Sequence, residues 1–391
     1  MEAFFKTHAY LVEHTQAPVR RALMDEINWN DRLICIRGSR GVGKTTFLLQ
    51  YARENFSIID RKCLYVNMNN FYFQGKSLCE FAGEFHRNGG QVLLIDQVYK
   101  LPDWVGDLRT CYERFPGLKI VFTGSSVMNI KEDHPELNSI CASYHLKGFS
   151  LREFINLRTG LSLSAYSLND ILDRHEMIAA NILRQVNPLD HMRAYLKHGY
   201  YPFFLEQTNF SENLLKTMNM MVEVDILVIQ QIELKYLNKL KKLLYLLAIA
   251  GPSAPNVSQL AADVQTSRAT VMNYFKFLTD ACLINMIYRK GEMSAKKPAR
   301  ITLHNTNLLY AIFPRFNDEE MLQDTFFQQN LCSMHNVSAG DRSCGFYVDG
   351  KRFRICNDEP HRLSGDVYYV RCNATKGHDR QIPLWLFGFL Y

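Results

Sequence analysis

No stretch of the chain reaches the eighteen or so uninterrupted apolar residues that a membrane-spanning helix needs, so the sequence reads as that of a protein without a membrane span. The opening segment MEAFFKTHAYLVEHTQAPVRRALMDEINW lacks the apolar core of a secretory signal. His8, Glu13, His14, Arg20 and Arg21 interrupt it, and it reads as a leading helix. Ten cysteines are present but no CxxC pair, which argues against a zinc ribbon. Without a secretory signal, reduced thiols and a cytoplasmic setting are expected, and Cys35 within LICIRG reads as a buried structural thiol. Internal repeats and low-complexity tracts are also missing. The net charge of +6 is too small to argue for nucleic acid, though it permits such contact.

What the 391 residues do contain is room for two to four domains. RLICIRG, CLYVNM, QVLLID and KIVFTG are four continuous apolar runs, which suits parallel strands covered on both faces. FLLQYAREN and KSLCEFAGEFHRNG read as intervening helices, so the first part is expected to be a doubly wound α/β domain. FSLREFINLR, LNDILDRHEMIAANILR and LDHMRAYLKHG then carry apolar residues at helical spacing. GYYPFF breaks that run. Two further helical stretches begin at ENLLKTMNMM and KLKKLLYLLAIAG, and the last ninety or so residues turn strand-rich. The expected division is 1–150, a P-loop domain with its leading helix; 151–235, a helical lid; 236–295, a winged helix; and 296–391, a small α+β domain.

Gly38-Ser39-Arg40-Gly41-Val42-Gly43-Lys44-Thr45 matches G-x-x-x-x-G-K-[ST] in full, with Thr46 following. A strand precedes it and a helix follows, as the chemistry requires. Glycines let the backbone amides curl toward phosphate oxygens, and the helix N-terminus adds its positive dipole end. Lys44 is the candidate for the β- and γ-phosphates, and the Thr45 hydroxyl for Mg²⁺. About fifty residues on, LLID ends a buried strand. Asp96 is the second Mg²⁺ candidate, through water, with a strand-end turn aspartate as the alternative. ATP and Mg²⁺ are therefore the expected ligands, and nothing in the sequence selects ATP over GTP.

Gln97 stands where many such ATPases carry a catalytic glutamate. A carboxamide cannot take a proton from water at neutral pH, and losing a general base costs on the order of 10²–10⁴ in rate. Gln97 can at best orient a water, and Glu80 or Glu84 could substitute only if the fold aimed them at the site. Thr123 and Ser125, at the end of KIVFTGSS, are candidates to sense the terminal phosphate; capping a following helix is the other use for the serine.

GSRGVGKTT, LLIDQVYKLPDW, KIVFTGSS, HLKGFSLREF, YLKHGYYPFF, KPARITLHNTNLLYAIF and IPLWLFGFLY, in this order, resemble the AAA+-like ATPases of Bacteroidetes and related prokaryotes. These carry a C-terminal domain of unknown function related to restriction-endonuclease-like folds, and the resemblance spans nearly the whole chain. It implies an ATP hydrolase, and the departures from it imply an impaired one. The family usually has LIDE where Gln97 stands here, and an arginine where Ile140 stands. Its C-terminal domain often keeps metal-nuclease carboxylates; here Gly345 and Arg354 occupy the acidic positions, so nuclease activity is not expected. Asp324 and Asp349 remain and read as solvated surface acids.

NVSQLAADVQTSRATVMNYFKFL, residues 256–278, suits a helix-turn-helix. Thr266, Ser267, Arg268, Thr270, Asn273 and Lys276 would line its exposed face, with Arg289, Lys290, Lys296, Lys297 and Arg300 supplying wing charge for DNA phosphates. Residues 256–300 thus form a candidate duplex-DNA face; an interdomain packing module is the competing use. Three functions follow: a nucleotide-binding protein in which ATP is a conformational ligand with weak or absent hydrolysis, a DNA-associated regulatory module, and a working ATPase with a base from elsewhere. A protein partner or homo-oligomer is compatible with each.

Overall fold

The four apolar runs are strands, and a fifth joins them. In a computed structural model, which describes every residue except 207, 208, 228, 230, 253, 293–296, 342, 343 and 361–363, the chain divides into two units, Met1–Gly148 and Phe149–Tyr391. The first contains β1 (Leu33–Gly38), β2 (Cys63–Asn67), β3 (Val92–Asp96), β4 (Lys119–Ser125) and β5 (Ala142–His145), all parallel, in the order β2-β3-β4-β1-β5. Helices α1 (Glu2–His14), α2 (Lys44–Asn55), α3 (Leu78–Arg87) and α4 (Trp104–Arg114) accompany it. Leu33 to Ile36, Leu93 to Ile95 and Val121 to Phe122 are fully buried, as the unbroken apolar runs require. β5 has the half-buried sequence Ala-Ser-Tyr-His and carries no such run.

The order has a direct consequence for function. β4 inserts between β1 and β3, so the end of β4 lies between the loop after β1 and the carboxylate ending β3. The outer edge of β2 is met by α1. There the Tyr65 N–H, unable to pair with another strand, donates to Nδ1 of the buried His8 at 3.0 Å.

In the second unit α5 (Leu151–Thr159) starts on a capping box made by Ser150 and Glu153. α6 (Leu168–Leu183), α7 (Leu189–His198), α8 (Phe210–Met220) and α9 (Leu237–Ala250) follow, α8 widening into a π-type turn at Met221–Ile226. α10 (Val257–Asp263) and α11 (Arg268–Asp280) form the helix-turn-helix, and β6 (Ile284–Ile287) pairs antiparallel with β7 (Arg300–Leu303) behind it. This hairpin spans position 295/296, at which the sequence suggests a break. After α12 (Thr306–Ile312) and α13 (Glu319–Leu331) comes a mixed sheet of β8 (Val337–Ala339), β9 (Phe346–Val348), β10 (Lys351–Cys356), β11 (Val367–Arg371) and β12 (Gln381–Pro383), consecutive in space. Phe326, Phe327, Phe346, Phe353, Trp385 and Phe387 centre its core.

Two expectations are corrected here. Asp324 is not a surface acid: it is buried on α13, where the Arg300 guanidinium bridges it at 2.5 Å. Burial raises its pKa to about 6 against the opposing pull of Arg300. Arg300 is in turn removed from the expected wing charges, since it lies over the Phe346 ring and faces Asp324. Asp349 does occupy a turn, in left-handed conformation at the β9–β10 hairpin, and accepts from the Asn336 N–H. Among the described residues no helix is long and apolar enough to cross a membrane.

Candidate nucleotide site

The loop after β1 turns on two glycines. Gly41 and Gly43 have φ of 85° and 94°, a region that side-chain-bearing residues avoid, and Gly43 leads directly into α2. Gly38 is demanded for another reason: a Cβ there would lie 2.4 Å from the Leu146 carbonyl oxygen. Lys44 Nζ folds over the loop and donates to the carbonyls of Gly38 at 2.7 Å and Ser39 at 2.9 Å. Val42 is buried, and its carbonyl accepts from Nη1 of the buried Arg21 at 3.2 Å. Nη2 of the same arginine donates to the Lys147 and Gly148 carbonyls at 2.7 and 3.0 Å. Thr46 is half-buried on the first turn of α2.

Asp96 gathers the other candidates. The Thr45 hydroxyl donates to its Oδ2 at 2.7 Å, and the Thr123 hydroxyl to its Oδ1 at 2.5 Å. Two further donors reach Oδ2: the Tyr65 hydroxyl at 2.9 Å and Asn67 Nδ2 at 3.4 Å. Burial, then the Asp96 charge, pushes the Tyr65 hydroxyl far above the usual tyrosine range, so it stays a donor. Asp96 itself is 1% exposed. A carboxylate held by four donors at the lip of a glycine-shaped loop, with a lysine and a threonine at the start of α2, is a donor set suited to Mg²⁺ and a polyphosphate.

Gln97 follows in left-handed conformation, φ 58° and ψ 48°. Its N–H donates to the Thr123 oxygen at 2.8 Å, while its Oε1 accepts from the Tyr99 hydroxyl at 3.4 Å. Tyr99 in turn accepts from Arg40 Nη2 at 3.3 Å, so the loop and Gln97 are joined through one tyrosine. Ser125 pairs with Gly38 in the sheet register, and its buried hydroxyl oxygen has no hydrogen-bond partner among the described residues. Glu80 lies beside Asp107, whose carboxyl pKa burial raises and to which Glu80 adds charge repulsion. The structure thus brings Thr45, Asp96, Gln97 and Thr123 into one bonded cluster, with Arg40 on the adjoining loop and Lys44 at the start of α2. Tyr65, Asn67, Tyr99 and Arg21 were not singled out from sequence. Tyr65 alone left a signal there, a hydroxyl inside an apolar strand that must find a partner.

Residues 30–155 match the AAA domain family. Residues 189–317 match a domain of unknown function. An uncharacterized protein of the archaeon Methanocaldococcus jannaschii is 26% identical over 289 residues, which are 70% of this chain and 60% of that protein. The chain therefore spans about three fifths of the length of the curated relative it matches. That relative is archaeal and so lends no support to a Bacteroidetes source. Among solved structures, a Thermotoga maritima RuvB variant is 16% identical, with TM-score 0.30 over 73% of this chain and 89% of that one. The Aeropyrum pernix ORC1 protein in complex with DNA is 13% identical, with TM-score 0.31 over 80% and 92%. At scores this low the overlap is loose; the strand order and the glycine loop after β1 define the first unit's α/β P-loop fold.

Proposed function

We propose that the AAA domain binds Mg²⁺-ATP and hydrolyses it weakly or not at all, the nucleotide serving as a conformational ligand. The observation that carries this reading is the bonded cluster of Thr45, Asp96 and Thr123 beside a carboxamide, Gln97. Loop amides and Lys44 would hold the phosphates, and Thr45 and Asp96 the metal. Bound Mg²⁺ would supply charge neutralisation between phosphate oxygens. Gln97, tied by its backbone to Thr123 and by its side chain to Tyr99, can orient a water but cannot accept its proton. Ligand binding shifts a conformational equilibrium only by its differential affinity for the two states, so slow turnover suits a protein whose bound state must last.

The test is phosphate release with Mg²⁺-ATP from the parent and from Gln97→Glu. The variant is expected to be faster by tenfold or more, with the ~10²–10⁴ of a fully positioned base as the upper bound. A parent that already turns over at an ordinary ATPase rate, matched by the variant, would refute the role given to Gln97. Absence of any ATP-dependent protection from melting at millimolar nucleotide would refute the site itself.

A second reading assigns residues 256–300 a duplex-DNA face, favoured by the helix-turn-helix with its β6–β7 hairpin. Arg268, Asn273 and Lys276 on α11 are exposed, as are Arg289, Lys290 and Lys297. Ser267 and Thr270 are committed to capping α11, Ser267 Oγ accepting the Thr270 N–H at 3.1 Å. Arg300 is engaged with Asp324, and Lys296 lies outside the described residues. The charge left for phosphates is modest, so this reading stands second.

A further inference from the structure

We infer that Tyr65 is a positioning residue for the metal, presenting Asp96 and Thr45 to Mg²⁺ in one geometry. The inference rests on the nucleotide-binding reading above and goes beyond it, since residues outside the loop and the β3 carboxylate are given a part in metal affinity.

Each carboxylate oxygen has about two lone-pair sites; Oδ2 of Asp96 is crowded by three donors, Thr45, Tyr65 and Asn67, while Oδ1 takes Thr123. A metal-bound water that donates to Oδ2 must displace one of its three donors. Asn67, at 3.4 Å, makes the longest bond and is the donor that yields. Thr45 would itself be taken up in holding the metal. Thr123 serves Oδ1 and simultaneously accepts the Gln97 N–H, so it is fixed. Among the described donors to Oδ2, that leaves the Tyr65 hydroxyl, at 2.9 Å, to keep this oxygen oriented when a metal is held.

Tyr65 is well placed to do so. The residue is 4% exposed, and its backbone is held from both sides, by pairing opposite Leu94 of β3 and by the His8 bond from α1. The hydroxyl adjoins Asn67 and Thr45 as well as Asp96. Outer-shell partners of this kind typically contribute ten- to a hundredfold in metal affinity.

The experiment titrates Mg²⁺ into the full chain with saturating ATP and separately measures ATP affinity in EDTA, both by calorimetry. In Tyr65→Phe the Mg²⁺ midpoint is expected to rise about tenfold, while metal-free ATP affinity stays within about twofold of the parent. An unchanged Mg²⁺ midpoint overturns the inference. So does an equal loss in both titrations, which would mark Tyr65 as general scaffolding. A parent that binds no ATP in either titration overturns the nucleotide reading, and this inference with it, in a way the variant's behaviour does not mimic. Should Tyr65→Phe not fold, Asn67→Ala provides the decision. It should leave the midpoint within about threefold, because Tyr65 still holds Oδ2; a tenfold rise there would place the positioning role on Asn67 instead.

Discussion

Acidification should loosen the N-terminal helix from the edge of the sheet, and His8 sets the scale. In the unfolded chain the ring titrates near 6.5, whereas burial lowers its pKa in the folded protein to about 4. The neutral ring is the form that accepts the Tyr65 N–H. Because the folded pKa lies below the unfolded one, the contribution is complete above pH 6.5 and is lost as the pH falls toward 4. At about 1.4 kcal/mol per pH unit, the single-site linkage amounts to about 2 kcal/mol between pH 7 and pH 5. The perturbation is His8→Gln, which keeps an acceptor but cannot titrate. Urea unfolding should be followed by hydrogen exchange in peptides covering residues 60–70, so that the first unit is read separately from the second. The parent is expected to lose about 2 kcal/mol more than the variant between pH 7 and pH 5. Parallel losses, differing by less than about 0.5 kcal/mol, would refute the assignment of a buried neutral histidine at this edge.

Gly38→Ala is expected to destabilise the first unit by about 1–3 kcal/mol in urea, because the new Cβ meets the Leu146 carbonyl, backbone rather than a movable side chain. An unshifted midpoint would show that β1 and the Leu146 segment separate more easily than their hydrogen bond at 2.8 Å implies. If α11 contacts DNA, the pair Arg268→Ala and Lys276→Ala should weaken duplex binding about equally across sequences and flatten its salt dependence by about two units of slope. No duplex binding by the parent at low salt would remove the second reading.

The sheet was legible because its strands are buried on both faces, and a buried parallel strand writes itself as an uninterrupted apolar run. β5 was not marked out that way, since Ala142–His145 is half-buried and no such run appears there. The phosphate loop was legible because its glycines and lysine answer to local backbone geometry. The donors around Asp96 were not, because Tyr65 and Asn67 reach it through pairing of β2 with β3, a relation between segments some thirty residues apart. Charge was the least readable property. Arg300 looked like a phosphate contact and proved to be the partner of a buried acid on α13, a helix whose polar residues give no amphipathic pattern because both its faces are covered.

Arg21 gives the phosphate loop a mechanical link. One guanidinium grips the Val42 carbonyl on one side and the carbonyls of Lys147 and Gly148 on the other, so the loop and the chain segment closing the first unit hang from the same planar fork. A guanidinium cannot lengthen; it can only tilt or let go. Any ligand that draws the Val42 carbonyl inward must therefore tug on residues 147–148 or break a buried charged bond, which turns a sub-ångström adjustment at the loop into strain at the last residues of the first unit.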